Sequence, residues 1–126
     1  MEKTAAKNAV NWFEIACTDL DRACRFYETV LDTRLRREEF QGSKMAVFPA
    51  AEPGVAGTLV CRPESRPGAG GSVVYLNVDG KLRECIDRTA RAGGKIVVPY
   101  TSIGEMGAFA LLCDTEGNVV GLHSEA

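Results

Sequence analysis

The chain has 126 residues, 45% of them apolar and 25% charged, and a formal net charge of −2. That is the size and composition of one globular domain with a packed core, which excludes a disordered chain. Acids and bases are interleaved without a basic patch, which argues against a nucleic-acid partner, and no apolar run approaches the ~20 residues of a membrane span.

The lead, MEKTAAKNAV, lacks the apolar centre of a signal peptide and reads as a short polar tail. The first apolar stretch, Asn11 to Cys17 (NWFEIAC), alternates. Phe13, Ile15 and Cys17 point one way, and Trp12, Glu14 and Ala16 the other, as in a strand with two distinct faces. One face is plain hydrocarbon and suits a core. The other carries an indole and a carboxylate and suits the wall of a cavity.

Thr18-Asp19 then caps a helix. Leu20, Ala23, Cys24, Tyr27, Val30 and Leu31 form its apolar stripe, and it ends near Asp32-Thr33. Arg34 to Phe40 is charged and alternating, an edge strand protected by charge. Gln41-Gly42-Ser43 is a turn, Lys44 to Pro49 a strand, Ala50 to Val55 a loop, and Gly57 to Arg62 another strand. Arg62 to Gly71 (RPESRPGAGG) is rich in proline and glycine and reads as a linker.

The second half repeats the order. Ser72 to Val78 is a strand, and Asp79-Gly80 a turn or cap. Leu82, Cys85, Ile86, Thr89 and Ala90 have helical spacing, closed by Gly93-Gly94. Strands follow at Lys95 to Pro99, Ala108 to Cys113 and Val119 to Ser124, separated by the loop Thr101 to Gly107 and the tight turn Asp114 to Asn118. Two copies of strand, helix and three strands predict an α+β fold of two βαβββ modules, about 9–63 and 72–126, joined by a linker at 64–71. Each helix covers one face of its sheet. The other faces meet each other or a partner chain, which predicts a cup-shaped, partly open β-barrel with the helices outside.

Cys17, Cys24, Cys61, Cys85 and Cys113 are odd in number, widely spaced and inside apolar elements, as reduced thiols of a cytoplasmic protein would be. None forms a CxxC pair, and the single histidine, His123, completes no Cys/His zinc pattern. A reactive thiol needs a basic, partly exposed setting, and only Cys61, beside Arg62, offers one. No GxGxxG or phosphate loop supports a nucleotide site.

The strand followed by TDLDRACRFYETVLD (18–32), the AGGKI of 92–96 and the ending DTEGNVVGLHS (114–124) resemble, in that order, the vicinal oxygen chelate superfamily. That group holds glyoxalase I, the bleomycin-resistance proteins and the extradiol dioxygenases. WFEI, MAVFP, YLNV, IGEMG and GLHS are similar to a branch of small glyoxalase-like proteins. The resemblance implies paired βαβββ modules and a homodimer. In metal-using members it also implies a ligand from the first and last strand of each module. Carried over residue by residue, those positions fall on Trp12, Val73, Gly121 and, at or near it, Leu59, none of which offers a side-chain donor. No metal and no cofactor is therefore expected.

By alternation, Val73, Tyr75 and Asn77 share a face, as do Val119, Gly121 and His123. If the resemblance holds, these faces and that of Trp12 line the cavity. Glu14 and His123 each stand one pleat beyond a lost ligand position. The family arrangement lets them approach as a carboxylate–imidazole pair, the parts of general acid–base catalysis. The plainer alternatives are a solvated histidine and a structurally hydrogen-bonded Glu14, since an unpaired buried carboxylate costs several kcal/mol. Trp12 and Tyr75 are candidate ligand contacts or simple walls. Asn77 binds ligand or satisfies backbone groups, and Glu105 is a rim residue or a solvated loop acid. Phe48 and Met45 lie on opposite faces of one strand, so one of them lines the cavity, and Phe48 is the candidate. Three functions fit: a metal-free binding protein for a small, partly apolar molecule, a glyoxalase-like lyase or isomerase using Glu14 and His123, or an accessory domain with a vestigial cavity.

Overall fold

The computed structural model describes residues 8–126, so 1–7 of the polar lead lie outside the described residues. The first unit consists of β1 (Trp12–Ala16), α1 (Leu20–Leu31), β2 (Arg36–Phe40), β3 (Ser43–Val47) and β4 (Ala56–Cys61). The second consists of β5 (Tyr75–Asn77), α2 (Leu82–Arg91), β6 (Lys95–Ser102), a 3-10 turn (Gly104–Met106), β7 (Ala108–Cys113) and β8 (Val119–Ser124).

Both sheets have one topology. The orders are β1-β4-β3-β2 and β5-β8-β7-β6, with the first and last strand of each unit paired in parallel and the other pairs antiparallel. The chain is thus two βαβββ units forming a cupped α+β fold, and the sheets do not close into a barrel.

Local chemistry sets the ends of α1. The Asp19 carboxylate accepts from the Arg22 N–H at 3.0 Å, an N-cap, and Asp32 ends the helix at φ 52° with its N–H donating to the Glu28 carbonyl. Its buried stripe includes Phe26 as well as the periodic residues. Phe26 packs edge-on to Tyr27 at 4.9 Å. Under the two helices lies one continuous core. Ile15 and Leu59 of the first sheet and Phe48, just past β3, share it with Leu76, Leu112 and Leu122 of the second. The helices pack against each other, and Arg88 of α2 donates through Nε to the Val30 carbonyl at 3.0 Å, a cation at the C-terminal end of α1.

The turn between β7 and β8 locks the units together. Glu116 accepts from the N–H groups of Thr18 and Asp19 and from Arg22, at 2.9, 3.0 and 2.7 Å. Asn118 donates to the Ala16 carbonyl at 2.7 Å, and its oxygen accepts from the Gly68 N–H at 3.0 Å. Tyr27 donates to Asp114 at 2.6 Å.

Two element lengths depart from expectation. β5 spans Tyr75–Asn77 instead of 72–78, since only those residues pair in register with β8, although Val74 still accepts from the Gly121 N–H and Val78 donates to the His123 carbonyl. β6 runs through Pro99 to Ser102 instead of ending at the proline. It is an edge strand with register shifts, where a missing N–H is tolerated.

Candidate functional site

Pairing register decides which side chains share a face. Glu14 lies opposite Thr58, and Ala16 opposite Val60, which in turn lies opposite Met45. Trp12, Glu14, Thr58, Val60, Arg62 and Met45 therefore share the sheet face turned away from the helices. Leu59 lies opposite Ile15 on the helix side and is fully buried. The neighbouring positions on the other face are Thr58 and Val60. In the second sheet Tyr75 lies opposite Gly121, and His123 lies between Asn77 and Phe109.

On the first face the Arg62 guanidinium donates through Nη2 to Oε1 of Glu14. Arg62 stands two residues beyond Val60 on this face, and both Val60 and Thr58 are fully buried. Trp12 stays 47% exposed one pleat from Glu14. Glu14 thus has a partner, and that partner is Arg62 rather than His123. Arg62 was missed by sequence reading because it stands where the strand gives way to a proline-rich linker. The only mark it left was its place on the Thr58–Val60 alternation.

On the second face Nε2 of His123 lies 2.7 Å from the Met106 carbonyl oxygen. A carbonyl only accepts, so Nε2 carries the proton, and in a neutral ring Nδ1 is left as the acceptor. Glu105 stands in the same 3-10 turn with its side chain exposed. Asn77 accepts from the Asp79 N–H at 2.9 Å, which serves the backbone of the turn into α2. Tyr75 is 50% exposed and meets Phe109 edge-on, with ring centroids 6.1 Å apart. The ring lies across Gly121, where a Cβ would stand 2.3 Å from its Cδ2.

Phe48 turns to the helix side, buried against Tyr27 and Phe13 with centroids 5.5 Å away in each case. Met45 is the one of the pair on the Glu14 face. Phe48 still reaches a cleft of about 1250 Å³ between the first unit and the edge of β5. Phe13, Leu31, Phe48, Tyr75, Asn77 and Cys85 line part of it. The structure therefore brings Phe48, Tyr75 and Asn77 to one cleft. It leaves Trp12 and Glu14 on the first sheet's face away from the helices, and His123 on the second sheet bonded to the turn that carries Glu105.

All five cysteines are free thiols. Burial pushes Cys17 up to about 12 and also raises Cys24 and Cys85, so these thiols stay protonated. Cys61 is half-buried, with Sγ 3.6 Å from the Thr18 carbonyl. No helix among the described residues is long and apolar enough to cross a membrane.

The model of the glyoxalase/bleomycin resistance protein/dioxygenase superfamily matches residues 9–122. The chain belongs to that superfamily. Solved structures agree on the fold. A glyoxalase/bleomycin resistance protein from Albidiferax ferrireducens T118 superposes with a TM-score of 0.69 at 15% identity, covering 94% of this chain and 100% of that one. For UcmS2 the TM-score is 0.67 at 22% identity, with 94% and 98% covered. The fosfomycin resistance protein FosX from Listeria monocytogenes gives 0.68 at 14% identity, with 97% and 94% covered. No curated protein matches the chain.

The residues present do not fit the metal of the superfamily's metal-using members. Trp12, Val73 and Gly121 offer no donor, and the Tyr75 ring fills the space a ligand side chain at position 121 would need. Among the described residues no three His, Cys, Asp or Glu side chains come together as a metal site.

Proposed function

We propose that this superfamily member binds a small, partly apolar molecule in the cleft beside β5, with Phe48, Tyr75 and Asn77 in its wall. The observation that carries the reading is the cleft itself: apolar side chains from both units surround the polar edge of a short strand. Such a mix of hydrocarbon wall and few polar groups is what small-molecule sites use. The five free thiols fit a reducing, cytoplasmic setting. A thermal-shift screen tests the proposal. A ligand at a hundred times its Kd adds about 2.7 kcal/mol, several degrees in a domain of this size. The shift is expected to vanish in Tyr75→Ala and to persist in Glu105→Ala. If no compound of a diverse library shifts the protein, the reading fails and a vestigial cavity takes its place.

A second reading rests on His123. With Nε2 donating to the Met106 carbonyl, Nδ1 is left as the acceptor of a neutral ring. A glyoxalase-like lyase or isomerase would pair this base with Glu14. Within one chain Glu14 is held by Arg62, so the pair is best formed between two copies. We propose a homodimer joined through the faces that carry Trp12 and Tyr75, since half-exposed aromatics there are costly to leave in water. Sedimentation equilibrium is expected to show a dimer that Trp12→Asp dissociates, and a monomer at all concentrations overturns it. A crystal structure with the Glu14 and His123 side chains more than ~6 Å apart, in and between copies, removes the acid–base pair.

A further inference from the structure

Parallel pairing carries two cysteines to the same step of the first sheet. Ala16 lies opposite Val60, and the ladder runs one bond further, from the Cys17 N–H to the Val60 carbonyl at 2.9 Å. The next residues, Cys17 and Cys61, therefore stand side by side. Both lie on the helix side with Ile15 and Leu59, the face opposite to that of Glu14. Neighbouring strands are about 4.8 Å apart. A disulfide spans Cα atoms separated by about 4.4–6.8 Å, so the backbone already meets its first requirement. Each thiol makes only a weak contact, Cys17 with the Val60 carbonyl at 3.4 Å and Cys61 with that of Thr18 at 3.6 Å. Cys17 is buried and Cys61 half-buried. Burial first, and the neighbouring Cys61 second, hold the Cys17 thiol up at about 12. The two thiols thus differ in access: Cys61 meets a reagent from solvent, and Cys17, sealed in the core, is reached through Cys61.

We propose that Cys17 and Cys61 form a reversible redox pair, oxidised to a disulfide by small-molecule disulfides such as oxidised glutathione. The Cys61 sulfur gives up its proton to solvent and attacks one sulfur of the reagent. That S–S bond breaks, and the first glutathione leaves as a thiolate that takes up a proton. Cys17 then loses its proton and attacks the Cys61 sulfur, which releases the second glutathione as a thiol. Two cysteines are oxidised, and one small disulfide is reduced to two thiols. Side chains on neighbouring parallel strands point the same way, so their Cβ atoms start about 4.8 Å apart, whereas a disulfide holds them at ~3.8 Å. Closing the bond strains the strand ends, and strained disulfides are easily reduced. The link closes a loop that holds α1, β2 and β3, and it takes the Cys61 thiol off the Thr18 carbonyl just before α1. The pair depends on neither the cleft at β5 nor the dimer.

Trypsin spares the Arg62-Pro63 and Arg66-Pro67 bonds and places each cysteine on its own peptide, with Cys17 in 8–22 and Cys61 in 45–81. A non-reducing peptide map therefore names the pairing. The folded full chain is equilibrated with glutathione buffers and quenched in acid. With oxidised glutathione in excess, the two peptides are expected to appear joined, two hydrogens lighter than their sum. With about a hundredfold excess of reduced glutathione they are expected to separate again. Cys17→Ala is expected to hold one glutathione on Cys61, and Cys61→Ala to leave Cys17 unmodified. If Cys17→Ala loses its native spectrum, iodoacetamide on the wild-type chain reads the same order, with Cys61 expected to be alkylated about tenfold faster than Cys17 or more. Failure of the joined peptide to form overturns the pair. So does a joined peptide built on Cys24, Cys85 or Cys113 instead, or glutathione that stays on wild-type Cys61. A bond that survives the reducing buffer overturns its reversibility, and Cys17 alkylated as fast as Cys61 overturns the order of attack.

Discussion

Tyr27 shows how one hydroxyl ties the two halves of the chain together. Its side chain is fully buried, and its hydroxyl donates at 2.6 Å to Asp114, which also accepts from the Asn118 side chain and from the N–H groups of Glu116 and Asn118. Burial pushes the phenol well above its ordinary value of 10.0, and the nearby Asp114 carboxylate pushes it the same way. Tyr27→Phe is expected to cost about 1–2 kcal/mol in urea unfolding at neutral pH, because Asp114 keeps its other donors. The phenol also shapes the alkaline limb. The folded state keeps this proton where the unfolded state loses it, so the stability it gives is whole below 10.0 and declines as pH rises above that. Tyr27→Phe is expected to flatten that decline, which unfolding curves between about pH 9 and 12 will check.

At the scale of elements, close contact decides what the joints tolerate. Gly94 follows α2 where the Phe26 ring of α1 comes in, and a Cβ there would stand 2.5 Å from Cε1 of that ring and 2.7 Å from the Cys113 carbonyl oxygen. Gly94→Ala is expected to destabilise by about 1–3 kcal/mol, because the carbonyl is backbone and cannot rotate away. Differential scanning calorimetry measures the loss, and an unchanged melting temperature would show that the joint is looser than described. The elements were largely legible in the sequence. Spacing marked the stripe of α1, its Asp19 cap and the repeated order of strands, because these depend on neighbours in the chain. Pairing at a distance was less legible. Alternation placed Phe48 and Met45 on opposite faces without saying which was the core side, since both are apolar. It put Glu14 on a polar face without revealing its partner Arg62, because a pairing across 48 residues cannot be read from alternation alone. The bond between His123 and the Met106 carbonyl was invisible because any residue supplies a carbonyl.

At the scale of the molecule, Glu116 is the main polar joint. Its side chain is fully buried. Burial opposes its charge, but the Arg22 guanidinium and the N–H groups of Asp19 and Thr18 outweigh that and bring it down from 4.5 to about 2. The folded state thus binds a proton less readily than the unfolded one. Its contribution is present above 4.5 and is lost as pH falls toward 2. At 1.36 kcal/mol per unit, this amounts to about 3 kcal/mol. Glu116→Gln is expected to lose stability of that order at pH 7 and to show a flatter acid limb, which urea titrations across that range will read. Equal acid limbs in the two proteins would place the acid sensitivity elsewhere.

The same joint orders events during synthesis. Arg22 and Glu116 are 94 residues apart, and Tyr27 and Asp114 are 87 apart. While the first half is being made, α1 has neither the acceptor for its central hydroxyl nor the carboxylate that receives the N–H groups before it. A nascent first unit is therefore expected to stay open to proteases on the ribosome until the β7–β8 hairpin emerges. Chains stalled just after residue 71 should be cut within α1, and chains stalled with the hairpin clear of the exit tunnel should not.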